Sequence, residues 1–348
     1  MSGTIQAVGL VMPRIRCAPF HGSLAADPIG SAGSYDAFLF VEVPLPWEKD
    51  ISMNEPFRSV MERAASVVAP DGTRWRPMGV TPTDGVDDGG GRAPDGLRTV
   101  TAFRCATGDR GGVGPFTRRE WRLPGVEVVD LCRALLRGAP AEVDRHAARL
   151  VDVDDDTVDL YVCTHGRRDT CCGSLGAGLH QELEGLLAAR PADVRLHRCS
   201  HTGGHRFAPT ALSFPDGYAW AHLGADVADR VVRRNAGPEL VAAHCRGSSL
   251  FDGGPAQAAD RAALVQVGWD WAGAVRRAEV VAFERDTLAT TVRVTGTTAD
   301  GAAHGFTVRV EVERHIPTPT CGVVEGPEYE VEPVWRVADV QPLGPDGQ

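Results

Sequence analysis

The chain has 348 residues and a formal net charge of −10, with 46 acidic against 36 basic side chains. This balance argues against general nucleic-acid binding, which needs a basic surface. The length suggests about two or three domains. No apolar run approaches the ~20 residues that would span a membrane, and residues 5–12 lack the charged lead of a signal peptide. We therefore expect a cytoplasmic protein with neither a nucleic-acid nor a membrane partner.

The N-terminal part mixes strand and helix signals. Residues 36–43 form an apolar, aromatic run that ends at prolines, which predicts a buried strand. Residues 52–68 are predicted to be helical, although Pro56 interrupts the start, and residues 126–137 place apolar side chains at helical spacing. Gly, Pro and Asp dominate residues 81–96, which predicts a mobile loop.

The central part has a regular element order. Residues 158–163 and 194–199 are predicted strands on either side of a predicted helix over 174–190. A hairpin signature over 211–223 and a helical pattern over 225–234 follow. This order of elements fits a small thioredoxin-like α/β sandwich, in which ligand-bearing loops lie at the strand ends.

The C-terminal part combines one clear helix with alternating strands. Residues 255–267 have a helical pattern, and apolar and polar residues alternate over 306–313. We expect an α/β protein, α+β overall, in three parts. An α+β region covers residues 1–150, the central thioredoxin-like module covers 151–250, and a β-rich region of a helix and a meander covers 251–348.

The chain has nine cysteines, an odd number, so they cannot all pair internally. In a reducing cytoplasm, metal ligation or redox chemistry is a commoner use of clustered cysteines than disulfides. Three of them lie close together in the sequence, at 163, 171 and 172. The scattered ones are interpreted as ordinary thiols: Cys17, Cys105, Cys132, Cys199, Cys245 and Cys321.

Two segments carry the chemistry. Residues 163–172 read C-T-H-G-R-R-D-T-C-C, and residues 199–207 read C-S-H-T-G-G-H-R-F. Each follows a predicted strand, so we expect both loops at the same end of one sheet. The two glycines between His201 and His205 permit tight bending, which would let both imidazoles face one centre. Two thiolates with two imidazoles suit zinc or a 2Fe–2S cluster of Rieske-like ligation.

Spacing does not decide between these metals. The cysteines are eight or nine residues apart, whereas structural zinc sites usually place them two to four apart. A two-iron cluster can use a longer loop. Spacing alone therefore favours an iron–sulfur centre modestly, and zinc stays open.

The two segments resemble motifs of the sucrase/ferredoxin-like family, whose members contain a thioredoxin-like ferredoxin domain. The similarity is strong over residues 155–223, including P-D-G-Y-A-W at 215–220. It is weaker over 30–47, and it is also visible over 244–254 and at Gln257. The resemblance implies that the central module is a thioredoxin-like ferredoxin module holding a 2Fe–2S cluster.

The same resemblance implies the ligands. Related ferredoxins use a pair of cysteines followed by C-x-x-x-C, and H-x-x-x-H stands at the second position here. Fungal members are known for such two-cysteine, two-histidine ligation, and their cysteine separation selects Cys163 and Cys172, with His201 and His205. Cys171 is then a neighbour, although Cys171 or Cys199 could substitute for a ligand.

We expect an electron-transfer or redox-sensing protein rather than a substrate-converting enzyme. Two neutral imidazoles in place of thiolates make a cluster easier to reduce, about −150 to +300 mV against about −400 mV in plant-type ferredoxins. We also expect its potential to depend on pH. No paired carboxylates suggest sucrose hydrolysis. The alternative is a structural zinc Cys₂His₂ protein that acts as a binding module. A thiol enzyme using Cys171 and Cys172 ranks below both, because adjacent cysteines form only a strained disulfide.

Polar neighbours of the motif have two interpretations each. His165 either hydrogen-bonds near the cluster or faces solvent. Arg167, Arg168 and Arg206 either form ion pairs, for example with Asp169, or form a docking patch. Six arginines against four acids over 163–206 give this stretch a charge of +2, within a chain of −10. A redox partner with an acidic face, such as a flavoprotein reductase, would fit such a patch.

Overall fold

The computed structural model describes most of the chain. The predicted loop over residues 81–96, apart from its ends, and Cys321 lie outside the described residues. The described residues are 16–61, 67–82, 96–107, 111–190, 193–319 and 330–344.

The apolar runs form strands, which join into one mixed sheet, and most of these strands bury at least one face. Most predicted strands lie within two residues of their observed bounds, and the central pair matches its prediction at both ends. The strands are β1 Ala37–Glu42, β2 Val67–Val68, β3 Arg74–Val80, β4 Leu97–Thr107, β5 Val113–Pro124, β6 Leu150–Val151, β7 Val158–Cys163, β8 Val194–Cys199, β9 Ala211–Phe214, β10 Tyr218–Trp220, β11 Cys245–Ser248, β12 Val275–Glu284, β13 Ala289–Thr297, β14 Ala303–Pro317 and β15 Val331–Pro342.

The helices cover the faces of this sheet. The helix predicted over 52–68 is wrong in its described part, where a 3₁₀ turn at Ile51–Met53 precedes one short helix. Pro56 explains the break, because proline lacks an N–H and clashes with the preceding turn of a helix. The α-helices are α1 Cys17–Ser23, α2 Phe57–Val60, α3 Gly125–Leu136, α4 Pro140–Val143, α5 Ala177–Ala189, α6 Ala225–Arg233 and α7 Gly254–Val267.

The central module has the predicted order of elements. Strands β7 and β8 pair in parallel across helix α5, β9 pairs antiparallel with β7, and β10 pairs antiparallel with β9. Cys163 and Cys199, the last residues of the parallel pair, are register partners. The two chemistry-bearing loops therefore leave the sheet at the same end, as predicted. The α+β class is confirmed, while the thioredoxin-like identity of the module stays a prediction.

The sheet continues through all three predicted regions. The strand order is β11-β10-β9-β7-β8-β3-β1-β4-β5-β12-β13-β14-β15, with β2 beside β3 and β6 beside β5. Single register contacts join the regions, Val80 with Cys199 and Arg276 with Val113. The boundaries at 150 and 250 stay a prediction, and the sheet crosses both of them.

Large apolar clusters pack on the sheet, and a small one is rich in sulfur. It joins buried cysteines of the α1 helix and the 163–172 loop, Cys17, Cys163, Cys171 and Cys172, with Ala18 and Ala208. Within the described ranges, every helix is too short or too polar to cross a bilayer.

Candidate metal centre

The 163–172 loop brings Cys172 back to Cys163. Cys163 ends strand β7, and Cys172 opens a π-helical turn, Cys172–Gly176, that leads into helix α5. A Cβ on Gly173 would lie 2.4 Å from the Cα of Gly166, and one on Gly176 would lie 1.9 Å from the Cys163 carbonyl oxygen. Only glycine permits these backbone approaches, which bring the two cysteines together.

Three of the four predicted ligands lie together, the two cysteines buried and His201 half-buried. The ligand atoms of Cys163, Cys172 and His201 lie within 4.8 Å of one another. The hydrogen bond from the Cys172 thiol holds the pKa of Cys163 well below its usual range, and His201 acts in the same direction against the effect of burial. Nδ1 of His201 is buried without a hydrogen-bond partner. The group thus has a thiolate and an unused imidazole nitrogen, as a metal site requires.

The fourth predicted ligand lies beside this group. His205 opens a 3₁₀ turn, and its ring centroid is 6.0 Å from that of His201. Gly203 and Gly204 have φ values of 85° and 64°, which glycine adopts without strain. Nδ1 of His205 faces away, 3.2 Å from a carboxylate oxygen of Asp169. A carboxylate on one ring nitrogen is the arrangement that orients a metal-bound histidine through its other nitrogen.

Arg246 places a cation against the site. It is 2% exposed and donates hydrogen bonds to the Gly203 carbonyl and to the carbonyl and hydroxyl oxygens of Ser31, all of them uncharged. Burial, followed by repulsion from Arg206, lowers the pKa of Arg246 to about 10. A buried cation held by neutral oxygens fits a site that carries thiolates. Sequence reasoning missed Arg246, since it lies about 40 residues beyond the histidines.

Cys17 belongs to the site, which corrects its interpretation as an ordinary scattered thiol. Its Sγ lies 3.2 Å from Nδ1 of His205. His21, one turn later in helix α1, packs edge-on against Phe207, and burial lowers the pKa of His21 to about 4. A lone cysteine some 150 residues before the motif has no spacing that could reveal this contact.

The other cysteines divide as follows. Cys171 is buried beside Cys17 and Asp169. Cys199 is fully buried among aromatic residues, and burial raises its pKa well above the usual value. Cys132 and Cys245 are fully buried in the core, and Cys105 is half-buried.

His165 is buried, so its solvent-facing interpretation is wrong. It is 2% exposed, and its Nε2 lies 2.8 Å from the carbonyl oxygen of Glu48. Burial lowers the pKa of His165. The ring also meets Trp47 edge-on, at 5.4 Å between centroids. His165 therefore ties the 163–172 loop to the chain that follows strand β1.

The three arginines do not share one role. Arg167 pairs with the Glu48 carboxylate at 3.1 Å and stays exposed, and Arg168 is exposed. Arg206 is largely buried and pairs with Glu332. The pairing suggested with Asp169 is wrong, because that carboxylate pairs with His205 instead.

These residues fall within a recognisable family. The model of the sucrase/ferredoxin-like family matches residues 28–247, so the chain belongs to that family. Curated relatives include two proteins named altered inheritance of mitochondria protein 32. The one from Clavispora lusitaniae is 38% identical over 55 residues, 16% of this chain and 20% of the relative. The one from Meyerozyma guilliermondii is 33% identical over 66 residues, 18% of this chain and 23% of the relative.

The chain thus matches less than a quarter of the length of these relatives. No solved structure matches it significantly. The predicted family is confirmed.

Proposed function

We propose that this chain is a 2Fe–2S electron-transfer or redox-sensing protein, with Cys163, Cys172, His201 and His205 as its ligands. The observation that carries the proposal is the group of buried Cys163 and Cys172 with half-buried His201, whose donor atoms lie within 4.8 Å of one another. The family's description includes ferredoxin, which supports this chemistry. The relatives' names refer to mitochondrial inheritance and to no reaction.

The protein's own residues suit such a cluster. When bound, it would supply a one-electron couple. Cys163 and Cys172 offer sulfur from a dry pocket, and His205 is oriented by Asp169. Arg246 holds a positive charge nearby, which favours the more negative reduced state. The exposed Arg167 and Arg168 would meet an acidic face of a redox partner, such as a flavoprotein reductase, in the cytoplasm.

One observation favours the zinc alternative. Donor atoms around a tetrahedral zinc ion lie about 4 Å apart, and the spacing among Cys163, Cys172 and His201 allows this. In this case Cys163, Cys172, His201 and His205 would hold a structural zinc ion, and the protein would act as a binding module.

The visible spectrum of the purified chain, with iron, sulfide and zinc analysis, decides between the two. We expect a red-brown protein with iron and acid-labile sulfide. His205→Ala should bleach or shift the spectrum, whereas His315→Ala, at an exposed position of strand β14, should leave it unchanged. A colourless protein without sulfide, whose zinc is lost in Cys163→Ser and kept in Cys17→Ser, would establish the alternative instead.

A further inference from the structure

A second group of ligating side chains lies beside the first. Cys17, Asp169 and Cys171 are all buried, and their donor atoms lie within 4.8 Å of one another. The Cys17 Sγ is 3.7 and 3.8 Å from the two carboxylate oxygens of Asp169. Nδ1 of His205 is 3.2 Å from both this sulfur and the nearer carboxylate oxygen. Two sulfurs and a carboxylate oxygen therefore lie together, with the His205 nitrogen beside Cys17 and Asp169.

The Asp169 carboxylate gives an independent reason to expect a cation here. Asp169 is 6% exposed, and its carboxylate accepts a hydrogen bond from the backbone N–H of Cys171 at 2.9 Å. Among the described residues its ion-pair partner is His205, and no arginine or lysine pairs with it. Buried carboxylates in proteins are paired with cations or coordinate metals.

We propose that Cys17, Asp169, Cys171 and Nδ1 of His205 form a second, mononuclear site that binds a divalent soft metal, zinc in the first place. Thiolate, imidazole and carboxylate are the three donor types that zinc takes, and four of them complete a tetrahedral shell. Calcium and magnesium do not fit, because they take oxygen ligands.

The charges around this site are consistent with the assignment. With both cysteines as thiolates, the four ligands leave one negative charge in excess of a divalent ion when His205 is neutral, and two when it binds both groups as an imidazolate. Arg206 is buried close by: burial lowers its pKa, and attraction to Glu332 and Cys17 opposes that effect. Because this guanidinium already pairs with Glu332, it supplies only part of the compensating positive charge.

His205 is shared by the two groups: it would bridge them as an imidazolate when both are filled, and bind as a neutral imidazole when only one is. Its Nδ1 faces Cys17 and Asp169, which leaves Nε2 for the ligands Cys163, Cys172 and His201. Three of the four donors of the second site take no part in the proposed cluster. The second site therefore does not rest on the proposed function, and the two can fail separately.

The test is metal analysis of the full-length protein and its variants after growth with added iron and zinc. We expect about one zinc per chain besides any iron, with X-ray absorption showing two sulfur neighbours at about 2.3 Å and two lighter ones at about 2.0 Å. Cys17→Ser and Cys171→Ser should lose zinc and keep iron and sulfide. Cys163→Ser should lose iron and keep zinc. Cys245→Ser, at a fully buried cysteine of strand β11, is the matched control and should keep both.

The outcomes separate the proposals. Wild-type protein without stoichiometric zinc overturns the second site. Zinc that disappears in Cys163→Ser but persists in Cys17→Ser also overturns it, and places zinc at the first group. If Cys17→Ser loses iron, Cys17 is a ligand of the cluster, and the second site is overturned. A colourless wild type whose zinc requires Cys17 and Cys171 supports the second site while removing the iron–sulfur proposal. Should Cys17→Ser fail to fold, zinc retained by Cys163→Ser remains decisive.

Discussion

At the scale of single residues, the charge of Arg246 is the feature that most directly affects electron affinity. Its hydrogen bonds hold the Gly203 carbonyl and Ser31, and its side chain is buried. Unlike Arg195, which pairs with two carboxylates, Arg246 donates only to uncharged oxygens. Its charge therefore acts on the thiolate site with little local cancellation.

Arg246→Gln should lower the reduction potential of the iron–sulfur form. Removing a unit charge this close to the site, at an effective dielectric of about 20, should cost on the order of 1–2 kcal/mol, or about 50–80 mV. Potentiometric titration followed in the visible spectrum measures the shift. Arg261→Gln removes the same charge from a pair with Asp27 and serves as control. An iron-loaded Arg246→Gln protein with an unaltered potential would contradict this role.

A second effect at the scale of single residues concerns stability, which the buried carboxyl of Asp159 makes dependent on pH. It is fully buried and contacts Arg118, Arg195 and His197. Burial alone would raise its pKa, but the hydrogen bond from His197 and attraction to Arg195 lower it from 3.8 to about 2. A carboxyl with a lowered pKa stabilises the fold above its unfolded-state pKa, and this stabilisation is lost as the pH falls towards the folded value.

Asp159→Asn should destabilise the protein by about 3 kcal/mol near neutral pH, because it leaves buried cations without their counter-charge. Between pH 6 and pH 3 the difference from wild type should narrow by about 1 kcal/mol. Urea unfolding at both pH values measures it. Asp252→Asn removes a carboxylate that is 71% exposed and should cost less than ~1 kcal/mol. A pH-independent gap would show that Asp159 does not titrate as described.

At the scale of elements, the π-helical turn before helix α5 fixes the position of Cys172. Sequence periodicity predicts a helix from 174 to 190 with Ser174 as its cap. The structure starts regular α-helix at Ala177, and Ser174 lies inside the π turn, donating its hydroxyl to the Thr170 carbonyl. π-Helical turns are rare in proteins, and those that occur are often found at functional sites. Periodicity misses the π turn, because it depends on the backbone contact of Gly176 with Cys163.

Gly176→Ala should therefore disrupt the metal site. Its new Cβ would lie 1.9 Å from the Cys163 carbonyl oxygen, a backbone atom that cannot move without strand β7. We expect loss of bound iron and a lower melting temperature. Gly178→Ala, two residues later in helix α5, meets nothing within 4 Å and should stabilise by about 0.5–1 kcal/mol. Equal iron content in both variants would disprove this requirement for glycine.

At the scale of the molecule, local sequence patterns predict helices and strands far better than the tertiary contacts between them. The bounds of β7 and β8 follow from apolar runs that end in cysteine, so the same-end placement of the two loops is predictable. The passage of one sheet from β8 to β3 rests on a single register contact between Val80 and Cys199. The contact of Cys17 with His205 depends on tertiary packing. No hydrophobic periodicity in the sequence indicates this contact or the pairing of Val80 with Cys199.

The distribution of exposed charge leads to the last prediction. The sequence suggests three arginines as a docking patch, but Arg206 is buried against Glu332, which leaves Arg167 and Arg168 at the surface. Both lie in the loop between the two proposed cysteine ligands. Reversing both charges should slow reduction by the native donor, because an acidic partner would be steered less strongly to the site.

Stopped-flow reduction at low and high salt tests this prediction for Arg167→Glu/Arg168→Glu. The loss of rate should be largest at low ionic strength and fade as salt screens the charges over about 10 Å at 0.1 M. Arg285→Glu/Arg293→Glu is the matched control, because it changes the net charge equally at exposed positions of the β12–β13 hairpin. Equal effects of the two double variants would mean that net charge, and not this loop, guides the partner. An unchanged rate in the loop variant would exclude the loop from docking.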